Sequence, residues 1–157
     1  MTIDVVVQKV ADQAAGEVFP DDAEIKRWVR RALDGKYDNA QLTVRMVGYE
    51  ESQQLNETYR HRQGSTNVLS FPFEHPEMVE PRLLGDVVIC VPLVVQEACD
   101  QGKDVMAHWA HLVVHGVLHL IGYDHNNAGE ADVMEGLEKK IMMELHYPDP
   151  YADNEVA

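Results

Sequence analysis

Apolar and polar positions along the chain change period several times. IDVVVQKV (3–10) is a β-branched run, and QLTVRMVG (41–48) alternates as a strand with one buried face does. Between them PDDAEIKRWVRRALDG has helical spacing. Pro20 and Asp21 open it, Ile25, Trp28, Val29 and Ala32 share one face, and Gly35 closes it. These stretches predict a β-α-β unit. EESQQLNETYR (50–60) predicts a polar helix, NVLSFPF (67–73) a strand ended by Pro72, and LLGDVVICV (83–91), nearly all apolar, a central strand. Pro92 starts a helix running to about Gln101. An apolar helix over about 104–121 follows, then an amphipathic one over about 128–146, with Val133, Leu137, Ile141 and Leu145 four apart. HPEMVEPR (75–82), with two prolines and charges of both signs, reads as a mobile flap.

These elements predict an α/β (α+β) fold, a small mixed β-sheet packed by several helices. At 157 residues the chain suits one domain, 1–157, around one core. No apolar run approaches the roughly 20 residues of a membrane helix. The N-terminus lacks the basic region and apolar core of a secretory signal, so a cytoplasmic protein without a membrane partner is expected. Cys90 and Cys99 have no CxxC partner and are expected to remain thiols. The net charge of −14 argues against coating nucleic acid by general electrostatics, so any polyanion contact must be local. Part of that charge follows Asn127, where eight acids stand against Lys139 and Lys140. A solvated helix face and a tail account for them.

The apolar helix departs from this ordinary picture. HWAHLVVHGVLHLIGYDH (108–125) holds five of the eight histidines. At about 100° per residue, His108, His111, His115 and His119 fall within roughly 80° of one another, and every other face is apolar, as in a helix buried in the core. Core histidines can be satisfied by backbone carbonyls. Histidines four apart can also aim ring nitrogens at one ion about 2.0–2.1 Å away, which fits His115 and His119. Gly122 can take the left-handed conformation that ends a helix and so return His125 to the same ion. Three neutral imidazoles leave a fourth position open, as in a catalytic zinc site. His108 and His111, one to two turns back, fit supporting or packing roles.

HxxxHxxGxxH is also the spacing of metzincin peptidases, which carry a glutamate general base directly after the first histidine. Here that residue is Gly116, so the peptidase reading weakens. Coordination can still activate water, and phosphodiester cleavage needs little beyond that and a cation for the developing charge. YRHRQGSTNVLSFPF supplies Arg60 and Arg62, whose planar guanidinium suits phosphate. Asp124, directly before His125, and Asp86 could orient ligands or move protons. With His111, Asn67 and Ser70 they are the candidates for supporting the ligands or lining a substrate groove.

HGVLHLIGYDH, with YRHRQGSTNVLSFPF and LLGDVVIC, resembles the bacterial YbeY family of zinc-dependent endoribonucleases. The resemblance runs from about Leu42 to Tyr151 and is densest at 59–73 and 83–125. It implies His115, His119 and His125 as ligands of one zinc ion, Arg60 as the substrate-facing arginine, and a small mixed sheet beside the metal helix. It further implies 3′-end maturation of small-subunit ribosomal RNA, quality control of defective ribosomes, and contact with the small subunit and its assembly proteins. Two other readings stand beside it: a metallohydrolase of peptides or small esters, and a non-enzymatic ribosome-assembly factor with structural zinc.

Overall fold

The computed structural model describes residues 2–10, 19–37, 39–59, 66–73 and 82–151. Arg60, His61 and Arg62, and the expected flap apart from Arg82, lie outside the described residues. The elements run β1 (Thr2–Lys9), α1 (Asp22–Leu33), β2 (Asn39–Val47), α2 (Tyr49–Tyr59), β3 (Val68–Pro72), β4 (Arg82–Cys90), α3 (Val91–Gln101), α4 (Val105–Leu120) and α5 (Ala128–Glu144). Each falls within about two residues of its expected limits, because caps mark the ends. The Asp21 side chain accepts from Glu24 N at 2.8 Å to open α1, and Asp104 accepts from Ala107 N at 3.1 Å to open α4.

The four strands order as β1-β2-β4-β3. β1 and β2 pair in parallel, as do β2 and β4, while β3 runs antiparallel on the outer side of β4. The sheet is therefore mixed, and the apolar strand β4 is internal, as expected. α1 and α4 cover one face with α5 behind them, and this layer holds the main core, including the fully buried Trp28, Trp109, Val87 and Leu118. α2 caps a smaller cluster of Val47, Leu69 and Val88 on the opposite face.

A bulge in β4 sets which side chains meet α4. Gln41 pairs with Leu83 and Leu42 with Gly85, so Leu84 is an extra residue. The shift puts Leu84, Val87 and Ile89 in the main core, while Val88 joins the cluster under α2. Gly85 takes a φ of +135°, and a Cβ there would stand 2.2 Å from the Phe71 carbonyl oxygen. Only glycine permits this approach.

α5 keeps only part of its expected face. Its buried residues are Met134, Glu138, Ile141 and Met142, whereas Val133 is 57% exposed. Ile141 and Leu145 of the expected row are buried and Leu137 packs half-buried against the core, but Val133 turns outward and the inner face takes in Met134, Met142 and an acid, Glu138.

Candidate metal centre

α4 touches α1, α3, α5, β3 and β4, which makes it the central helix of the fold. Gly116 is the point of closest approach to the sheet. A Cβ at 116 would lie 2.5 Å from Val87 Cγ1 and 3.1 Å from Val68 Cγ2. The buried Ser70 hydroxyl donates to the Gly116 carbonyl at 2.7 Å, adding a polar tie between β3 and α4. Beyond its first turn, Val105–Ala107, the helix is open only along the histidine stripe. Side-chain exposure there rises from 6% at His108 through 13% at His111 and 19% at His115 to 25% at His119, and His125 is exposed. The stripe thus reaches solvent at the C-terminal end of α4.

The end of α4 is built as expected. Gly122 turns at a φ of +107°, its N–H donates to the His119 carbonyl at 3.1 Å, and Tyr123 N–H donates to the Leu118 carbonyl at 3.0 Å. These two bonds form a Schellman motif, which reverses the chain. The reversal brings His125 back: its ring centroid stands 4.9 Å from that of His119 and 5.8 Å from that of His115. One ring nitrogen from each of His115, His119 and His125 lies within 4.8 Å of the others. Burial and the neighbouring His115 and His125 rings hold His119 below the usual imidazole range, favouring the neutral form that ligates metal. Donor chemistry and spacing fit one divalent ion.

Asp124 braces the returning loop. It accepts from His125 N at 2.8 Å and from Asn126 Nδ2 at 2.9 Å, and its Oδ1 stands 4.0 Å from His119 Nδ1. Asp86, by contrast, is not brought to the cluster. The bulge before it turns it onto the α2 face of the sheet, where it lines a surface cleft with Gln41, Thr43, Phe71 and Phe73. Asn67 also lies apart from the three histidines, donating to Glu97, which pairs with His108. Neither His108 nor Asn67 is left pointing at an ion.

Glu138 is the residue that sequence reasoning missed. It is wholly buried, and it meets His115 Nδ1 and the Tyr151 hydroxyl, with His111 Nε2 3.5 Å away. Burial by itself would raise its carboxyl. The neighbouring His111 and His115 more than offset this and hold it down to about 2. The available signal was an acid in register with Met134, Ile141 and Met142, which among solvated acids reads as one more.

The family model described as Endoribonuclease YbeY matches residues 9–146, so the likeness extends back through α1 to the end of β1. Relatives of that name include one from Pseudomonas putida (strain W619), 50% identical over 150 residues, covering 95% of this chain and 93% of the relative. Another, from Pseudomonas syringae pv. syringae (strain B728a), is 52% identical over 147 residues, covering 92% and 89%. The solution structure of TM1509 from Thermotoga maritima aligns with a TM-score of 0.57 at 21% identity over 92% of each chain, which shows a shared fold. The chain belongs to the endoribonuclease YbeY family and is a hydrolase of phosphodiester bonds.

Proposed function

We propose that this endoribonuclease cuts single-stranded RNA with one zinc ion held by His115, His119 and His125, at the 3′ end of small-subunit ribosomal RNA. The observation that carries this reading is the convergence of three imidazole nitrogens within 4.8 Å at the solvent-facing C-terminal end of a buried helix. Neutral imidazoles suit zinc, although nickel and cobalt accept similar sites. A divalent ion bound there supplies Lewis acidity and lowers the pKa of a coordinated water toward about 7.

The chain supplies geometry and a counter-charge. His115 and His119 come from a helix fixed on five sides, and His125 from a loop braced by Asp124, so little reorganisation accompanies reaction. Arg60, which directly follows α2, is the candidate for the phosphate oxygens. His115 would serve catalysis only as a ligand. A glutamate at 116 would run into Val87, which counts against the peptidase chemistry that the histidine spacing otherwise allows.

The chain's 27 acids against 13 basic residues favour recruitment by protein partners on the small ribosomal subunit over long-range attraction to RNA. Quality control of defective ribosomes follows from the same recruitment. Among the described residues no helix is long and apolar enough to cross a membrane, which agrees with work in the cytoplasm. The whole chain, 1–157, would act as one domain.

The deciding experiment is cleavage of a single-stranded RNA carrying the small-subunit 3′ end, beside His119→Ala and Arg60→Ala prepared identically. Cutting by wild type, stopped by chelator, restored by zinc and lost in both folded variants, supports the reading. Identical behaviour of all three preparations refutes it.

A further inference from the structure

Glu138 is a carboxylate with no exposed surface, set among Met134, Ile141 and Met142 on the inner row of α5. A charge in such a row persists only when paired and hydrogen-bonded. Its oxygens have separate partners. Oε1 lies within hydrogen-bond distance of Nδ1 of His115, Oε2 accepts from the Tyr151 hydroxyl, and His111 Nε2 stands 3.5 Å from Oε1. Tyr151 arrives by a C-terminal turn that is itself pinned: Tyr151 N donates to Asp149 at 2.8 Å, Lys139 pairs with Asp149 at 3.2 Å, and Lys103 Nζ donates to the Pro150 carbonyl at 3.3 Å.

A carboxylate oxygen accepts, so the contact between Glu138 and His115 is a hydrogen bond when Nδ1 carries the ring proton. Nε2, on the other side of the ring, then keeps its lone pair. We propose that Glu138, held by Tyr151, is a positioning residue for the metal centre, fixing the tautomer and ring orientation that let His115 ligate through Nε2. This rests on the reading that His115, His119 and His125 hold the ion, and it adds α5 and the C-terminal turn to the site. Donor atoms of His111, His115 and Glu138 also lie within 4.8 Å of one another. A second ion there would need the Nδ1 proton removed and His115 shared between two metals, whereas the hydrogen bond to Glu138 keeps that proton in place.

The test measures zinc affinity and stoichiometry of the full chain by competition with a chromophoric chelator, for wild type, Glu138→Gln, Glu138→Leu, Tyr151→Phe and His119→Ala. Nitrogen NMR of histidine-labelled, zinc-free protein reads the His115 tautomer. One zinc per wild-type chain is expected, with Kd raised roughly 10–100-fold in Glu138→Leu. Glu138→Gln, whose amide oxygen can still accept from Nδ1, should weaken binding less, and Tyr151→Phe less again. His115 should be Nδ1-protonated in wild type and gain the Nε2-protonated form in Glu138→Leu. If the leucine variant fails to fold, the near-isosteric glutamine variant carries the test. Wild-type affinity in the folded Glu138 variants overturns the proposal. So does a second zinc per chain that vanishes with Glu138, which would make Glu138 a ligand. Equal zinc uptake by His119→Ala and wild type instead brings down the three-histidine reading itself.

Discussion

His108 Nε2 and Glu97 Oε1 stand 2.9 Å apart, joining α4 to α3, and Asn67 Nδ2 reaches the same carboxylate at 3.2 Å from the start of β3. The hydrogen bond with His108 holds the Glu97 carboxyl below its usual range; burial opposes the shift, and the Asn67 hydrogen bond adds to it. A carboxyl depressed in the folded state contributes stability that is present above its unfolded pKa, about 4.3, and lost as pH falls through the folded value. Glu97→Gln should therefore cost on the order of 1 kcal/mol near pH 6. That cost should shrink steadily below about pH 4.3. Urea midpoints of the two proteins across this range check it, and a pH-independent difference would mean the contact is not ionic.

Gly116 offers a second test, because its tight packing on Val87 accounts for glycine at a position where related spacing elsewhere carries glutamate. Gly116→Ala should destabilise by about 1–3 kcal/mol through overpacking. Val87 is branched at Cβ and stiff, so it cannot swing aside cheaply. The double variant Gly116→Ala with Val87→Ala should recover part of the loss, giving a coupling above roughly 0.5 kcal/mol in a double-mutant cycle. Strictly additive losses would show that the two positions do not compete for one space. Gly116→Glu should gain no peptidase activity, since its side chain meets the sheet.

The unequal legibility of fold and site has a physical cause. The β-α-β unit, the internal strand and the cap at Gly122 follow from local periodicity and from backbone demands that few residues meet. The histidines are legible too, because all four of the stripe lie on one helix and the return of His125 depends on its cap. Glu138 and Tyr151 are not: their role exists only where α5 and the C-terminal turn cross α4, at separations of 23 and 36 residues from His115. Asp86 stands away from the three histidines for a different reason. A single extra residue in β4 reverses the side-chain alternation, and nothing in LLGDVVIC except its glycine announces the bulge.

α5 ends on a residue unsuited to its conformation. His146 turns at a φ of +69°, with its N–H donating to Met143 O at 3.0 Å and Tyr147 N–H donating to Met142 O at 2.9 Å. This is the glycine position of a Schellman motif, and a non-glycine residue there costs roughly 1–2 kcal/mol. Part of the gain from glycine is offset by its greater freedom in the unfolded chain. His146→Gly should stabilise by about 0.5–1 kcal/mol, raising Tm by roughly 1–4 °C for a chain of this size. A thermal melt without metal reads this directly, and a lower Tm would mean that the His146 ring makes a contact worth more than the strain.

Metal binding should itself appear as stability, and in a way that separates the ligands. His115 and His119 are four apart on one helix, so an unfolded chain can still offer them weakly as a pair, whereas His125 joins them only when the Gly122 turn forms. An ion that binds the folded state alone stabilises by RT ln(1 + [L]/Kd), about 2.7 kcal/mol at a hundredfold excess over Kd. For this chain length that is a Tm rise of roughly 5–11 °C. Wild type should show this rise with zinc, and His119→Ala almost none. His125→Ala should retain a small residual response, because the helical pair survives but its third donor and folded-state selectivity are gone. Melts at several zinc concentrations, with the zinc-free Tm of each variant as its own baseline, decide the matter. If His125→Ala responds as strongly as wild type, the loop histidine is no ligand, and the site reduces to the helical pair.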